Sequence, residues 1–351
     1  MKEKKYLTIY KSIKEQILCN EYRADEKIPS KRVTADKYGC SVITVETAYN
    51  MLADEGYITT KERSGYYVNH IDALSNTTNH AKHTTFDYLD TPIVDYNTYD
   101  FEYSLWFKTI RKVISERGQE LFIKSPNMGC AILRNAIADY LYRHRSMIAQ
   151  PRQIIIGSGA EQLYETVVKL LGREITYGIE DPSYSRIEAV YTSTGANIKK
   201  LKMGTDGIET EALNNDSIDV LHVTPFRSYP TDVTVSASKR YEYLRWATNG
   251  KYIVEDDFNS EFFKPGQPIE TLYALSHNES VIYINTFSKS LSPSMRVGYM
   301  ILPKHLLPIY EEKLGDFSCS VPVLDQYVLA EYIESGNFER HLNRERRKRQ
   351  L

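Results

Sequence analysis

The most informative stretch of the sequence comprises residues 285–299, NTFSKSLSPSMRVGY. It places Lys289 among several hydroxyl side chains, with Arg296 seven residues further on. The apolar run 281–284 before it predicts a buried strand, so Lys289 would lie just past the strand's end, where open α/β sheets bind ligands. A lysine that forms a Schiff base must be deprotonated, and a nearby cation favours that state while also binding phosphate. On spacing alone, the alternative is a solvated Lys and Arg flanking a loop.

This segment closely resembles the Schiff-base segment of the fold type I aminotransferases, which use pyridoxal 5′-phosphate (PLP). The resemblance implies that Lys289 binds PLP covalently and would be the catalytic residue of an enzyme. It also implies that Arg296, Ser288 and Thr286 belong to the cofactor site.

The composition indicates a globular protein. A length of 351 residues suggests two or more domains, and a hydrophobic content of 42% is enough for a sizeable core. The formal net charge of -2 gives no global electrostatic case for binding nucleic acid or membrane. The four cysteines show no metal or disulfide spacing, which predicts buried thiols, a reducing compartment and no metal site. No segment approaches the roughly 18 apolar residues of a membrane span, so we expect a cytoplasmic protein.

A change in composition divides the chain. Between about residues 69 and 97 Ser, Thr, Asn, His and Asp dominate and apolar periodicity disappears, which is typical of a linker. We therefore predict an N-terminal module at 1–70, a polar linker at 71–97 and a large block at 98–351.

The N-terminal module shows the pattern of three helices. Ser30 can cap a second helix that ends at Gly39, and Ser41 can cap a third that ends near Gly56. The apolar positions are Tyr10, Ile13 and Ile17 in the first helix, Val33 and Tyr38 in the second, and Val45, Tyr49 and Leu52 in the third. Two helices joined by so short a turn have the layout of a helix-turn-helix, whose second helix enters the major groove of DNA.

Two strands follow, at 57–60 and 66–68, and the basic turn between them would form a wing. The whole module resembles the winged helix-turn-helix of GntR-type repressors. The resemblance rests on 27–32 (KIPSKR), 38–45 (YGCSVITV) and 52–58 (LADEGYI).

The GntR resemblance implies a set of DNA contacts. Ser30, Lys31 and Arg32 would bind phosphates, Ser41, Val42 and Thr44 would face the major groove, and Arg63 and Gly65 would bring the wing to the minor groove. Where the family often has arginines, this sequence has Val42, Thr44, Glu46 and Thr47. Residues 1–70 carry 12 Lys and Arg against 10 Asp and Glu. We therefore expect each DNA-binding domain to bind DNA weakly and in a salt-sensitive way, so that a dimer is needed for tight binding. A module for protein contact is the alternative.

The large block alternates strands with helices, which predicts an α/β fold with a mostly parallel, doubly wound sheet. The expected strands are 153–156, 175–179, 220–223, 252–254, 281–284 and 297–302. After the first strand, a turn containing Gly159, Ala160 and Glu161 precedes a helix expected to start near Gln162. Backbone N–H groups at a helix N-terminus bind phosphate, although a turn of this kind is more often a tight connection. The turn resembles the Ser-Gly-Ala-Gln segment of the fold type I aminotransferases, which usually have Gln in place of Glu161.

The aminotransferase resemblance assigns further cofactor residues. Tyr184 would stack on the pyridine ring, and Asp256 would pair with the protonated ring nitrogen. Tyr229 would lie near the ring hydroxyl. Lys124 would reach the phosphate of the partner subunit in a dimer. The alternatives are a surface tyrosine at position 184 and an exposed lysine at position 124.

Several positions depart from the aminotransferase pattern. Phe258 replaces the tyrosine that hydrogen-bonds the ring hydroxyl, Arg227 and Ser228 replace His-Gln, and Asp232 replaces a glycine. Each departure argues for weakened transamination. Residues 341–351 look like the helix that leads into the small C-terminal domain, so we expect that domain to be missing, through fragmentation or natural truncation.

The order of a winged helix-turn-helix, a linker and an aminotransferase-like block resembles the MocR subgroup of GntR regulators. The resemblance implies a PLP-dependent transcriptional regulator that binds double-stranded operator DNA, forms a homodimer through the large domain and senses the cofactor or an amino compound. The alternatives are a functional aminotransferase with an appended DNA-binding domain, and a regulator whose degenerate large domain no longer binds PLP.

Overall fold

The structure is a computed structural model, and it describes residues 4–61, 64–70, 101–214, 217–262, 270–277 and 279–348. The chain divides into two compact units, Met1–Val94 and Asp95–Leu351, which are described separately. The predicted linker, 71–97, and Arg63 of the predicted wing lie outside the described residues. The domain boundaries therefore stay predictions.

The smaller unit contains the three expected helices, α1 Lys5–Leu18, α2 Lys31–Tyr38 and α3 Val42–Asp54. The side chain of Ser30 accepts a hydrogen bond from the backbone N–H of Val33 at 3.4 Å, and Ser41 accepts one from Thr44 at 3.2 Å. Both serines thus satisfy a donor that the first helical turn leaves unpaired. Helix α2 ends at Gly39, which has the positive φ of 58° that favours glycine.

The core of the smaller unit joins all three helices to a hairpin of β1 Ile58–Lys61 and β2 Gly65–Val68. The buried side chains include Tyr10, Ile13 and Ile17 of α1 and Val45, Tyr49 and Leu52 of α3, as the apolar spacing predicts. Val33 lies in α2 as expected, but its side chain is 58% exposed and does not belong to this core. Thr34 and Ala35 are buried in its place, and Thr34 shares a hydrogen bond of 2.8 Å with the Tyr49 hydroxyl.

The larger unit alternates helices and strands. Its helices are α4 Tyr103–Arg117, α5 Ala131–Arg145, α6 Ala160–Leu171, α7 Ser185–Ser193, α8 Thr210–Leu213, α9 Ala237–Trp246, α10 Leu272–Leu275, α11 Phe287–Ser290, α12 Leu307–Leu314, α13 Val323–Glu334 and α14 Asn337–Lys348. Its strands are β3 Ile154–Gly157, β4 Thr176–Asp181, β5 Asn197–Gly204, β6 Gly207–Ile208, β7 Val220–Val223, β8 Tyr252–Asp256, β9 Val281–Thr286 and β10 Gly298–Ile301.

Within the described residues these strands form one sheet in the order β3-β10-β9-β8-β7-β4-β5-β6. The pairs from β9 through β8, β7 and β4 to β5 are parallel, whereas β10 runs antiparallel to both β3 and β9. The mostly parallel sheet is confirmed. Because β3, β4, β7, β8 and β9 point the same way, their carboxyl ends meet at one edge, where parallel sheets bind ligands.

Both faces of the sheet are covered. Along β3, Ile154 and Ile156 pack with helices α5 and α13, while Ile155 packs on the other face with α6 and α12. Strand β5 was not predicted, because its sequence Asn-Ile-Lys-Lys-Leu-Lys-Met-Gly lacks the apolar run of its neighbours. It lies near the end of the sheet and is only partly buried, so lysines are tolerated there.

Two smaller expectations need correction. Of the four cysteines only Cys130 is buried; Cys19 is exposed and the other two are half-buried. The helix expected near Gln162 begins at Ala160. No helix in the described part of the chain combines the length and the apolar character needed to cross a membrane.

Candidate functional site

A cavity of about 320 Å³ lies at the carboxyl edge of the sheet. It is lined by Ala160, Glu161, Tyr164, Tyr184, Arg186, Ile187, Thr224, Tyr229, Asp256, Phe258, Thr286, Ser288, Lys289 and Arg296. The structure therefore brings together all the predicted cofactor residues except Gly159, which contacts the Arg296 guanidinium, and Lys124.

Lys289 lies in the short helix α11, directly after the buried strand β9. Its ammonium group donates a hydrogen bond to Oδ1 of Asn259 and lies 4.7 Å from the centre of the Phe258 ring. The lysine side chain is exposed at the cavity, so it is accessible to a ligand. The aromatic ring stands beside the amine but offers it no hydrogen-bonding group.

Asp256 closes the deep side of the cavity at the end of β8, and it is only 3% exposed. Its Oδ2 accepts a hydrogen bond from the Tyr164 hydroxyl and lies 3.8 Å from Nε2 of His222. His222 is oriented in turn by the Tyr191 hydroxyl, 2.8 Å from its Nδ1. Oδ1 of Asp256 has no hydrogen-bond partner among the described residues, which is rare for a buried acceptor. The carboxylate thus retains the capacity to bind one more donor.

A second part of the cavity is suited to an anion. The helix α6 begins at Ala160, and its first N–H groups have no partner within the helix. The guanidinium of Arg296 lies against the preceding residue: an added Cβ on Gly159 would be 2.9 Å from Nη2 of Arg296. Gly159 also has a φ of 104°, which disfavours a side chain there, and a side chain would also displace the Arg296 guanidinium. Within the described residues Arg296 has neither an ion pair nor a hydrogen bond.

Ser288 and Thr286 line the same part of the cavity. The Ser288 hydroxyl donates to the backbone carbonyl of Met295 at 2.9 Å. This bond ties the lysine segment to the arginine segment, so it fixes Lys289 and Arg296 relative to each other. Ser288 therefore has a structural function besides any contact with a ligand.

Glu161 would repel an anion at the start of α6, but its charge is compensated. Its Oε1 lies 2.6 Å from Nη1 of Arg186, which is in the first turn of α7. Both side chains line the cavity. The guanidinium of Arg186 also lies 5.9 Å from the centre of the Tyr184 ring. Arg186 thus links the predicted stacking tyrosine to the predicted phosphate corner.

The mouth of the cavity is aromatic. Tyr184 is 40% exposed and Tyr229 is 60% exposed, and their ring centres lie 6.1 Å apart in an edge-to-face arrangement. Both rings line the same cavity as Asp256 and offer aromatic faces to it. They suit a ligand that is itself a flat ring.

Other predicted residues lie elsewhere. Lys124 is exposed and does not line this cavity, so its proposed contact with the partner subunit stays a prediction. Arg227 and Asp232 also lie outside the cavity lining and pair with each other, with Nε and Oδ1 2.8 Å apart. Within the described residues there is no cluster of three or more His, Cys, Asp or Glu side chains able to hold a metal ion.

The sequence interpretation missed three residues of this site, Tyr164, Arg186 and Asn259. Each lies a short distance from a predicted residue: four after Ala160, two after Tyr184 and three after Asp256. Helical spacing could have indicated Tyr164, because positions i and i+4 share a helix face. The other two depend on contacts between distant parts of the chain.

The smaller unit presents a second candidate site at the start of α3. Ser41 and Val42 are exposed there, and Thr44 is half-buried beneath them. Lys31 pairs with Glu46 of α3, while Arg32 in the same turn of α2 is exposed. The unit thus has the surface expected of a helix-turn-helix, with one of its cations already paired.

The hairpin beside these helices carries part of the predicted wing. Gly65 begins β2 with a φ of 126°, and an added Cβ would lie 2.8 Å from Cε of Lys27. The positive φ favours glycine at this position, whereas the flexible end of the Lys27 side chain could move aside. On the other strand, the ammonium group of Lys61 lies 4.5 Å from the centre of the Tyr67 ring.

Comparison with protein families matches both units. The model of bacterial regulatory proteins of the gntR family matches residues 5–68, and the model of aminotransferase class I and II matches residues 94–351. The fold and the two sites thus define a DNA-binding regulator fused to an aminotransferase-type domain.

Relatives with the same arrangement are regulators. The chain is 32% identical to the uncharacterized HTH-type transcriptional regulator YdeL of Bacillus subtilis, over 97% of this chain and 76% of that protein. It is 27% identical to the probable rhizopine catabolism regulatory protein MocR of Rhizobium meliloti, over 97% and 73%. It is 28% identical to the pyridoxine biosynthesis transcriptional regulator PdxR of Corynebacterium glutamicum, over 92% and 71%. The chain belongs to the gntR family and is an HTH-type transcriptional regulator of the MocR type.

Solved structures confirm the fold of the larger unit. An archaeal alanine:glyoxylate aminotransferase matches with a TM-score of 0.63 and 23% identity, over 69% of this chain and 62% of that enzyme. The α-aminoadipate aminotransferase LysN of Thermus thermophilus, complexed with N-(5'-phosphopyridoxyl)-L-leucine, matches with a TM-score of 0.62 and 25% identity, over 70% and 64%. The chain thus spans less than two thirds of these enzymes.

Proposed function

We propose that this regulator binds PLP covalently through Lys289 and uses the bound cofactor to control how its DNA-binding domain engages operator DNA. The signal is PLP itself or an amino compound that reacts with it. The protein acts as a homodimer formed by the large domain, since paired half-sites require paired DNA-binding heads.

The observation that carries this proposal is the unpartnered Oδ1 of Asp256 in a cavity that also contains Lys289. PLP has three groups that a protein must accommodate: an aldehyde, a ring nitrogen that can be protonated and a phosphate. Lys289 is suited to the aldehyde and Asp256 to the ring N–H. The phosphate suits Arg296 together with the backbone N–H groups that begin at Ala160. The residues of the cavity therefore fit the cofactor.

The chemistry that PLP supplies, when bound, is an electron sink for groups attached to its aldehyde carbon. Asp256 would keep the ring nitrogen protonated, because a buried carboxylate forms a charge-assisted hydrogen bond worth roughly 1.5–3 kcal/mol with it. Tyr164 keeps the carboxylate in place through Oδ2. Tyr184 and Tyr229 exclude water from the outer side of the site.

Phe258 supports a sensor over an enzyme. It lies beside the Lys289 amine without a hydrogen-bonding group, and the side-chain oxygen of Asn259 accepts a bond from that amine. A carbonyl oxygen of an amide cannot take up a proton at neutral pH, so neither neighbour assists proton transfer. Both neighbours suit a site that holds the cofactor, and neither of these two can act as a base.

Large exposed apolar side chains along residues 103–123 support a dimer of the large domain. Tyr103, Phe107 and Ile114 of α4 are 70%, 52% and 50% exposed, and Phe122 and Ile123 just beyond are 91% and 66% exposed. Apolar side chains of this size, exposed close together in sequence, are typical of an interaction surface. A second copy of the chain is the occupant that paired DNA-binding heads require.

The test uses the purified full chain. PLP is titrated into wild type and Lys289→Ala in parallel while visible absorption is recorded. Binding to DNA duplexes from the region upstream of the gene is then measured with and without PLP. The proposal predicts a visible band that Lys289→Ala abolishes, and DNA affinity that changes at least fivefold on adding PLP or PLP with an amino acid. If the wild type shows no visible band, the proposal fails, and the large domain is a scaffold that does not bind PLP. Repeated turnover of an amino donor would instead identify an aminotransferase.

A further inference from the structure

The first turn of α3 presents an apolar surface. Ile43 is 73% exposed and Val42 is 40% exposed. Val45, two residues further along the same helix, is fully buried. The N-terminal residues of a recognition helix are those presented to base edges in the major groove. Two aliphatic side chains therefore occupy the positions that docked DNA would meet first.

The polar side chains around them already have partners within the unit. The Ser41 hydroxyl lies 2.8 Å from the Thr44 hydroxyl and accepts the Thr44 backbone N–H. The Thr47 hydroxyl donates to the Ile43 carbonyl at 3.0 Å, and the carboxylate of Glu46 pairs with Lys31. These bonds stabilise the helix itself. What the first two turns offer to a base edge is mainly methyl groups.

The major groove contains one apolar feature that such groups can recognise, the C5-methyl of thymine. We propose that Ile43 and Val42 read thymine methyl groups, so that the operator has thymine where the N-terminus of α3 enters the groove. This inference rests on the proposed DNA-binding function and specifies its partner: a duplex recognised by apolar contact and without arginine-guanine pairing at these positions.

The charges beside the patch favour DNA over an apolar protein partner. Lys31 and Arg32 lie in the first turn of α2, and the bond from Lys31 to Glu46 shows that this turn lies next to α3. The N-terminus of α3 adds the positive end of a helix dipole. A small apolar patch beside the exposed Arg32 and a helix N-terminus is complementary to a methyl group between rows of phosphates.

The experiment begins with the full-length chain and a pool of random-sequence duplexes, from which the tightest-bound sequence is selected. That duplex is then synthesised again with deoxyuridine in place of each thymine in turn, which removes one methyl group and changes no hydrogen-bonding atom. At one or two positions in each half-site the affinity should fall about three- to fivefold, the value expected for one buried methyl group.

Ile43→Ala should weaken binding to the thymine duplex about fivefold and should remove the difference between thymine and deoxyuridine at its own position. The matched control is Val33→Ala, which truncates another exposed aliphatic side chain on α2 and should leave that difference unchanged. Circular dichroism would check that both variants fold.

Equal affinity of the wild type for thymine and deoxyuridine duplexes would overturn the inference, and so would an Ile43→Ala variant that still distinguishes them. In both cases sequence-selective binding would persist and the proposed regulatory function would stand. Failure of the wild type to select any duplex would overturn that function as well.

Discussion

Tyr164 donates a hydrogen bond to Oδ2 of Asp256, and the other oxygen of this carboxylate has no partner among the described residues. Burial and the charge of Asp256 raise the pKa of Tyr164 well above its usual range. The tyrosine therefore stays protonated and acts only as a donor. It holds the Asp256 side chain in place through Oδ2, which leaves Oδ1 available as an acceptor for a ring nitrogen.

The first prediction concerns that acceptor. Asp256→Asn should lower PLP affinity about 10- to 100-fold, because it removes a charge-assisted hydrogen bond of roughly 1.5–3 kcal/mol. Titration followed by visible absorption measures the change. Asp181→Asn is the matched control, since Asp181 also ends a strand but is exposed and does not line the cavity. Equal PLP affinity in the Asp256 variant and the wild type would show that Asp256 does not pair with the ring.

The second prediction concerns the pair formed by Glu161 and Arg186. Arg186→Ala should weaken PLP binding about tenfold, because it exposes the phosphate to an uncompensated carboxylate. Adding Glu161→Gln in the same chain should restore most of the affinity. If the double variant binds as weakly as Arg186→Ala, the arginine contacts the cofactor directly and does not act through Glu161.

The third prediction concerns pH. Burial raises the pKa of Glu180 to about 7, although the Ser228 hydroxyl and the Thr224 N–H donate hydrogen bonds to its carboxylate. Below the ordinary pKa of a glutamate, Glu180 carries the proton in both the folded and the unfolded state. The contribution of its raised pKa to the free energy of unfolding is then fully present. As pH rises towards 7, the unfolded chain releases the proton while the folded protein keeps it, and the free energy of unfolding falls.

Glu180→Gln removes this titration. The free energy of unfolding of the variant, relative to the wild type, should therefore increase by about 2–3 kcal/mol between pH 4.5 and pH 7.5. Denaturant unfolding at a series of pH values measures the difference. Comparison with the wild type cancels the similar contribution of Glu255, whose pKa burial raises to about 8. A difference that stays constant with pH would mean that Glu180 has the same pKa in the folded and the unfolded protein.

The fourth prediction concerns DNA affinity. Glu46→Gln should free Lys31 for a phosphate, strengthen binding about two- to fivefold and steepen the salt dependence by about one counterion per head. Glu55→Gln makes the same change of charge, but Glu55 pairs with Lys14 and Tyr10, so its effect should be smaller. If the two variants behave alike, only net charge matters and Lys31 does not reach a phosphate.

The sequence predicted well the features that depend on local chemistry. Ser30 and Ser41 were identified as helix caps because short polar side chains accept bonds from the first turn. The apolar run before Lys289 predicts its place just past a buried strand, and the aminotransferase resemblance assigns Asp256 to the same site. The family patterns supplied the individual functions, and the structure brings these residues to one cavity.

Features that depend on contacts across the fold were not predictable. Tyr164 bonds Asp256 across 92 positions of sequence, and nothing near either residue indicates the other. The pairing of Glu161 with Arg186 likewise requires that α6 and α7 lie side by side. The apolar position Val33 of the second helix is exposed, because a helix of eight residues that packs on one side exposes some of its apolar positions.

The central claim is that Lys289 forms the covalent link to PLP, and borohydride reduction tests it most directly. Reduction of the protein with bound PLP fixes the cofactor to whichever lysine holds it, and peptide mass analysis identifies that residue. We predict nearly complete labelling of Lys289, with none in Lys289→Ala and unchanged labelling in Lys304→Ala, a control at an exposed lysine. Labelling spread over surface lysines, or equal in wild type and Lys289→Ala, would contradict the claim.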